Sequence, residues 1–392
     1  MVWRRGRSRW RPGPPRVLLD ARWYTDGPPS GHLVTRKLID ALTAQDEDAF
    51  QYLLLVRGSR ADITALRNLH PHWKVVRDPF HNLLLGSVCV VPLVAAAHRV
   101  HAVVSQNFCA PWGCPVRIVL IYDAIYERRP DLFTRLERSY LSLIRILAHR
   151  STSILTISSR EAAHLRRWNL GAAKPIDIVP LAPRAATRRS ASRLVRPSLE
   201  GVSGYLLHLG RVNVRKNIDM VVRAASRART VTTTHPLVIA GPVEASMVSW
   251  VERTQADNPG FLLVLGKVTD DMVEELLRGA SALITLSEDE GFGLPPLEAM
   301  AYGVPVIAST GAIAERKLRD AAVVVDFPLD VDAVATAIDS VHTDEGLRAA
   351  LIAMGKTVAG EYTWPRSALV LRQAISTALE SALSLRNSTS CN

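Results

Sequence analysis

Short apolar runs alternate with longer amphipathic stretches along most of this chain. In the first half the runs are Arg16–Tyr24, Tyr52–Arg57, Trp73–Arg77, Ala102–Ser105, Ile118–Tyr122, Ile154–Ile157 and Asp177–Val179. They are rich in β-branched residues and lack a period of two. That is the mark of strands buried on both faces of a parallel sheet. Helices are predicted between them, notably over Leu33–Leu42, Leu132–His149 and Ser159–Trp168. A turn-rich loop, Thr25 to Gly31, separates the first strand from the first helix. Residues Arg184 to Ser203 break the rhythm, because Arg, Ser and Ala without apolar periodicity suit an interdomain linker. The alternation then resumes. Strands are predicted at Tyr205–Leu209, Leu237–Ala240, Leu262–Leu265, Ala282–Leu286, Val306–Ala308 and Ala322–Val325. Helices are predicted at Ile218–Arg229, Asp270–Arg278, Leu297–Tyr302, Val331–Val341 and Glu345–Val358. The expected fold class is α/β: two Rossmann-like, doubly wound domains facing a cleft.

Length and composition agree with that picture. The 392 residues provide for about two domains, and 48% hydrophobic with 22% charged residues is the balance of a soluble globular protein. The net charge of +11 is unevenly spread: residues 1–200 carry 31 Lys+Arg and 15 Asp+Glu, a net of +16, leaving −5 for the rest. The first half therefore faces something anionic: nucleic acid, a membrane surface or a phosphorylated acceptor. Nucleic acid is disfavoured, because the basic residues are scattered and no basic motif is interleaved with aromatics. The four cysteines, Cys89, Cys109, Cys114 and Cys391, form no CxxC pair and have no zinc spacing, which suits thiols in a reducing cytosol. The start of the chain has Arg4, Arg5, Arg7, Arg9 and Arg11 with Trp3 and Trp10 but no apolar core of a secretory signal, and suits a disordered basic arm. The run from Leu83 to Ala97 is 15 residues, short of the ~20 that span a bilayer, and suits a buried or interfacial helix.

Candidate chemistry gathers in the second half, in segments that follow predicted strands. Leu209 to Asn217 reads strand, Gly210, then Arg211, Arg215 and Lys216 before a helix, a layout for an anion, with Asn217 as helix N-cap. Ser287 to Glu298 follows the next-but-two strand. Gly291 and Gly293 allow close backbone approach, and Pro295 and Pro296 suit a helix first turn whose N–H groups would be free for anions. Glu290 and Glu298 are eight apart and can project into one pocket as acceptors for sugar hydroxyls. A dinucleotide fingerprint is excluded, since Pro296 stands where its third glycine would be.

The string Glu290-Gly-Phe-Gly-Leu-Pro-Pro-Leu-Glu298-Ala-Met-Ala-Tyr-Gly-Val-Pro-Val-Ile-Ala-Ser309 resembles the E-x7-E signature of retaining GT-B glycosyltransferases, family 4. Gly210-Arg211…Arg215-Lys216-Asn217 resembles their phosphate motif, and Gly266-Lys-Val-Thr-Asp270 their base-contacting turn. The resemblance implies that Arg211 and Lys216 hold the diphosphate and that Glu298 accepts from the ribose. Glu290 would contact the donor sugar beside the Gly291, Phe292, Gly293 and Leu294 backbone, and Val268 would touch the base. It implies Gly31 in a glycine-rich loop facing the phosphates, and Tyr122 with Asp123 on the acceptor side, Tyr122 replacing the family histidine. It also implies a last helix, from Trp364-Pro365, that crosses back to the first domain. The expected division is thus a basic arm over 1–14, an acceptor domain over 15–190, a donor domain over 191–364 and the crossing helix over 365–392.

The implied activity is transfer of a sugar, with mannose from a GDP donor preferred, from a nucleotide-diphosphate sugar to a glycan or lipid-linked acceptor, in polysaccharide or glycoconjugate synthesis. No metal and no other cofactor is expected. The expected setting is cytoplasmic, with peripheral binding to an anionic membrane through the basic half. The alternative is an inactive nucleotide-sugar-binding or scaffolding protein of the same fold, for which Tyr122 is the best argument.

Overall fold

The computed structural model describes residues 13–25, 27–45, 49–80, 82–169, 174–184, 202 and 204–389. The expected arm falls mostly on residues 1–12 and the linker mostly on 185–201, and these, with Cys391, lie outside the described residues.

Two parallel sheets are present. The first holds β1 (Arg16–Asp20), β2 (Gln51–Val56), β3 (Lys74–Arg77), β4 (Ala102–Gln106), β5 (Val116–Ile121), β6 (Ser153–Thr156) and β7 (Ile176–Ile178) in the order 3-2-1-4-5-6-7. The second holds β8 (Tyr205–Leu209), β9 (Leu237–Ala240), β10 (Leu262–Gly266), β11 (Ala280–Thr285), β12 (Val306–Ser309) and β13 (Val323–Val325) in the order 10-9-8-11-12-13. Every residue of β4, β8 and β9 is buried, as expected for strands covered by helices on both faces. Each fully buried aliphatic side chain there contributes roughly 1.5–3 kcal/mol.

Three expectations about local structure are corrected. The first strand stops at Asp20, not Tyr24, because the Asp20 carboxylate accepts from the Arg22 N–H (3.3 Å) and from its Nη2 (2.6 Å), turning the chain. The first helix spans Pro29–Ala44, so the loop ends before Gly31, which lies in the first helical turn. The apolar run is two helical pieces, Leu83–Leu85 and Val91–Ala97, joined by a wide π turn over Gly86–Val90. The buried Arg22 guanidinium lies where a Gly86 side chain would be and also bonds the Leu83 carbonyl (2.9 Å) and Ser87 Oγ (2.6 Å). Among the described residues no helix is long and apolar enough to cross a membrane.

The helix Trp364–Thr389 lies against the Pro29–Ala44 helix. Trp364 Nε1 donates to the Pro183 carbonyl (2.9 Å), Ser367 Oγ to that of Pro180 (2.5 Å) and Gln45 Nε2 to that of Pro365 (2.6 Å).

Candidate active site

In an open parallel sheet a crevice forms where the strand order reverses, because the loops on either side leave in opposite directions. In the second sheet that point lies between β8 and β11. The loops that leave these two strands are the two that the sequence singled out.

They are laced together. Asn217 Nδ2 donates to the Leu286 carbonyl (3.0 Å), the Glu288 N–H to the Arg215 carbonyl (3.1 Å), and Lys216 Nζ bonds Glu290 Oε1. Asn213 Oδ1 caps the short turn Val214–Lys216 by accepting from the Lys216 N–H (3.3 Å). Asn217 does stand at the start of the helix Ile218–Arg227, but with φ 50° and without a side-chain cap. Its amide is committed to the neighbouring loop, which corrects its expected capping role. Gly210 is favoured by its backbone, at φ 150°, and a Cβ there would meet His208 Nε2 and Lys216 Nζ at an ordinary contact distance of 3.8 Å. Arg211 turns away from this cluster, half-exposed, towards Glu244 at 3.6 Å.

The two glutamates are divided between two ion pairs. Burial pushes the Glu290 carboxyl up, but Lys216 and then Arg215 outweigh it and hold it below its ordinary value. Burial likewise pushes Glu298 up, and here Arg184, though its Nη1 sits 2.5 Å from Oε1, does not fully offset it. Arg184 also lies 3.4 Å from Asp270, at the start of the helix Asp270–Gly279. This places Glu298 beside the turn that carries Val268, which is half-buried against the core.

Gly293, at φ 110°, starts the helix Leu294–Ala301. Its first turn is poorer in free donors than expected: Pro295 and Pro296 carry no N–H, and Leu297 gives its own to the Gly293 carbonyl (3.1 Å). Phe292 and Leu294 are buried, and Phe292 meets the Tyr362 ring edge-on at 5.8 Å.

The first half meets this loop through the end of β5. A Cβ on Gly291 would lie 2.9 Å from the Tyr122 carbonyl and 3.0 Å from Asp123 Cβ, so the two backbones touch because residue 291 is glycine. Burial raises the Asp123 carboxyl, against Arg215, and Glu290 raises it further. Tyr122 is half-buried against Trp23 at 5.3 Å between ring centroids, and burial raises its hydroxyl. Gly31 faces the Trp23 ring, 2.6 Å from its ideal Cβ to Cε3.

Arg184, Arg128 and Arg160 were missed. Arg128 Nε donates to Asp289 Oδ2 (2.6 Å), and Arg160 reaches the same carboxylate. Nothing local marks these pairings, since Glu298 and Asp289 lie 114 to 161 residues from the arginines that reach them. His208 was missed too. It is fully buried on β8, its Nδ1 lies 3.1 Å from the Ile284 carbonyl and its Nε2 has no partner. Burial, then the Lys216 charge, lowers it to about 4.

Fold and site together define a two-lobed α/β protein with cations and carboxylates set at facing sheet edges. Comparison with known proteins shows what this chain is similar to. Residues 198–358 match the family described as glycosyl transferases group 1. The O-antigen chain mannosyltransferase B of Escherichia coli is 33% identical over 163 residues, 41% of this chain and 42% of that protein. The lipopolysaccharide core biosynthesis mannosyltransferase LpcC of Rhizobium leguminosarum bv. viciae is 28% identical over 185 residues, 46% of this chain and 51% of that one. The matched stretch thus spans about half or less of these relatives. The crystal structure of Anabaena HepE in complex with UDP-glucose superposes with a TM-score of 0.68 at 16% identity, covering 92% of this chain and 99% of that one, a likeness of fold. Residues 198–358 thus match a group 1 glycosyltransferase domain, and the two parallel sheets have the GT-B arrangement.

Proposed function

We propose that this chain is a glycosyltransferase that moves a sugar from a nucleotide-diphosphate donor to a glycan or lipid-linked acceptor, with retention at the anomeric carbon and without a metal ion. Mannose from GDP-mannose is the preferred donor. The named mannosyltransferases among its relatives support that choice. The observation that carries the reading is the Lys216–Glu290 pair at the switch point of the second sheet, against Asp123 of the first half.

Departure of the nucleoside diphosphate builds negative charge on its oxygens. Lys216 and Arg215, fixed before the reaction, would meet that charge in a cleft poor in water. Arg211 would join them by leaving Glu244. Glu290 would hold the donor sugar, Glu298 the ribose and the turn at Val268 the base. The acceptor would approach from Tyr122 and Asp123. A thermal-shift and turnover screen of GDP-mannose, UDP-glucose and other nucleotide sugars tests this. A ligand at 100 times its dissociation constant stabilises by about 2.7 kcal/mol, a shift easily seen. No shift and no turnover with any of them would refute the proposal.

We also propose that the first half binds anionic membranes. Its surface shows Leu85, Leu93 and Trp112, and Gly113 packs on Pro92, bringing the last two close. Each nearby basic residue adds ~1 kcal/mol at such a surface. The protein should sediment with anionic vesicles, less as salt rises, and remaining in the supernatant at low salt would refute it.

A further inference from the structure

Asp289 stands between Glu288 and Glu290, and only 9% of its side chain is exposed. Both of its oxygens are taken by arginines of the other lobe. Arg128 Nε donates to Oδ2 at 2.6 Å and Arg160 Nη1 to Oδ1 at 3.3 Å. Each arginine is anchored a second time. Arg128 gives its other two nitrogens to Glu161 (2.9 and 2.5 Å), a fully buried carboxylate that also accepts the Ala124 N–H at 3.1 Å.

Arg160 takes the carbonyls of Thr310 (2.9 Å), Gly311 (3.2 Å) and Ile313 (2.9 Å). Those carbonyls belong to the turn after β12, which walls the donor loop from behind. Ser309 Oγ donates to the Ser287 carbonyl (2.6 Å) and the Ala314 N–H to that of Phe292 (2.9 Å). A Cβ on Gly311 would lie 2.1 Å from the Glu288 carbonyl. Arg160 therefore holds the loop directly through Asp289 and indirectly through its wall.

We infer that Arg128 and Arg160 are positioning residues for Glu290, setting from the opposite lobe the loop that carries it. The inference rests on Glu290 being the donor-sugar residue. Both arginines are hydrogen-bonded to buried carboxylates, so the cluster tolerates burial while it is whole. Removing one member leaves a buried charge without a partner. All these contacts to Asp289 and the wall cross between lobes, so they exist only while the lobes are apposed. Loop order and apposition are then one equilibrium, and the donor site is complete only when the acceptor lobe is in place.

The test compares the full chain with its Arg160→Ala, Arg160→Lys and Asp289→Asn variants by amide hydrogen exchange, GDP calorimetry and GDP-mannose turnover. Exchange over 287–293 should rise at least about tenfold in Arg160→Ala and Asp289→Asn, while β8 and β11 keep their protection. The GDP dissociation constant should stay within about threefold, and kcat should fall about tenfold or more. Lys at 160 keeps the charge but not the three-carbonyl grip, and should recover part of kcat. If Arg160→Ala does not fold, Asp289→Asn makes the same test, since it weakens both arginine contacts without changing shape. Unchanged exchange over 287–293 would overturn the inference, as would loss of GDP binding in step with kcat. Should the wild type turn over no nucleotide sugar, the proposed function fails, while the exchange comparison still decides whether the arginines hold the loop.

Discussion

Glu290 and Glu298 are the same residue, eight positions apart on one loop and helix, yet the protein treats them differently. Glu290 is paired within its own lobe, and Lys216 and Arg215 together overcome its burial, so its carboxyl stays below the ordinary value. Glu298 is paired with Arg184 from the segment that leaves the first lobe, and burial wins, so its carboxyl stays above. Two cations against one settle the difference. On the proposed reading this difference becomes a division of labour. Glu290, a carboxylate held ionised near Asp123, would meet the sugar at the reacting end. Glu298, tied through Arg184 to the turn before Asp270, would accept from the ribose, and its grip would depend on how Arg184 is placed.

The strongest way to break this comparison is to remove the cation of the first pair. Lys216→Ala should cost about 3 kcal/mol or more of stability, because it strands a largely buried carboxylate, and should lower turnover at least about a hundredfold. Arg211→Ala, whose side chain is half-exposed beside Glu244, should cost stability little and turnover about tenfold. Equal effects in chemical denaturation and in rate assays would mean that Arg211 and Lys216 are not distinguished as the geometry has it.

His208 sharpens the comparison from beneath. Its imidazole is lowered to about 4, so it is neutral beside Lys216. A group lowered on folding contributes stability above its unfolded value of about 6.5, and loses it as pH falls through about 4. That contribution is up to roughly 3 kcal/mol, from the drop to about 4. Glu161 acts in the opposite sense: burial raises it to about 7 despite Arg128, so its share is lost as pH rises from about 4.5 to 7. Denaturation from pH 4 to 7 should therefore show a shallower acid limb in His208→Gln and the same limb, steeper, in Glu161→Gln. Parallel profiles in all three proteins would contradict both assignments.

A smaller effect is expected at Gly291. A methyl there would meet the Tyr122 carbonyl at 2.9 Å, so Gly291→Ala should lower kcat about tenfold by holding the lobes slightly apart. Small-angle scattering should show a more open particle, and an unchanged rate and radius would refute the contact's role. The smallest effect is none at all. If side chains meet the phosphate charge, as proposed, activity should persist in EDTA, and complete, reversible loss on chelation would contradict that.

Much of this was legible because it is local. The strand cores could be read from their apolar runs, and the donor loop from one contiguous string. What was hidden is what the fold brings from afar. Arg184 reads as part of a featureless Arg/Ser/Ala stretch, and only the folded chain sets it on Glu298. Arg128 and Arg160 carry no local signal until Asp289, more than a hundred residues on, is placed between them. Local rules also misled where tertiary contacts overrode them. Asn217 has the composition of a cap, yet its amide bonds the Leu286 carbonyl. Arg16–Tyr24 has the pattern of a nine-residue strand, yet the Asp20–Arg22 bonds end it early. The helix Val248–Asp257 has no fully buried residue, only Trp250 and Val251 half-buried against the core, and periodicity did not find it.

The central claim is that the two glutamates serve different ends of one donor, and calorimetry on GDP and GDP-mannose with Glu290→Ala and Glu298→Ala tests it most directly. Glu298→Ala should weaken both ligands alike, by about tenfold, because the ribose contact is common to them. Glu290→Ala should leave GDP within about threefold of wild type while GDP-mannose weakens and its turnover falls about a hundredfold. The reverse pattern, with GDP lost in Glu290→Ala and spared in Glu298→Ala, would contradict the account.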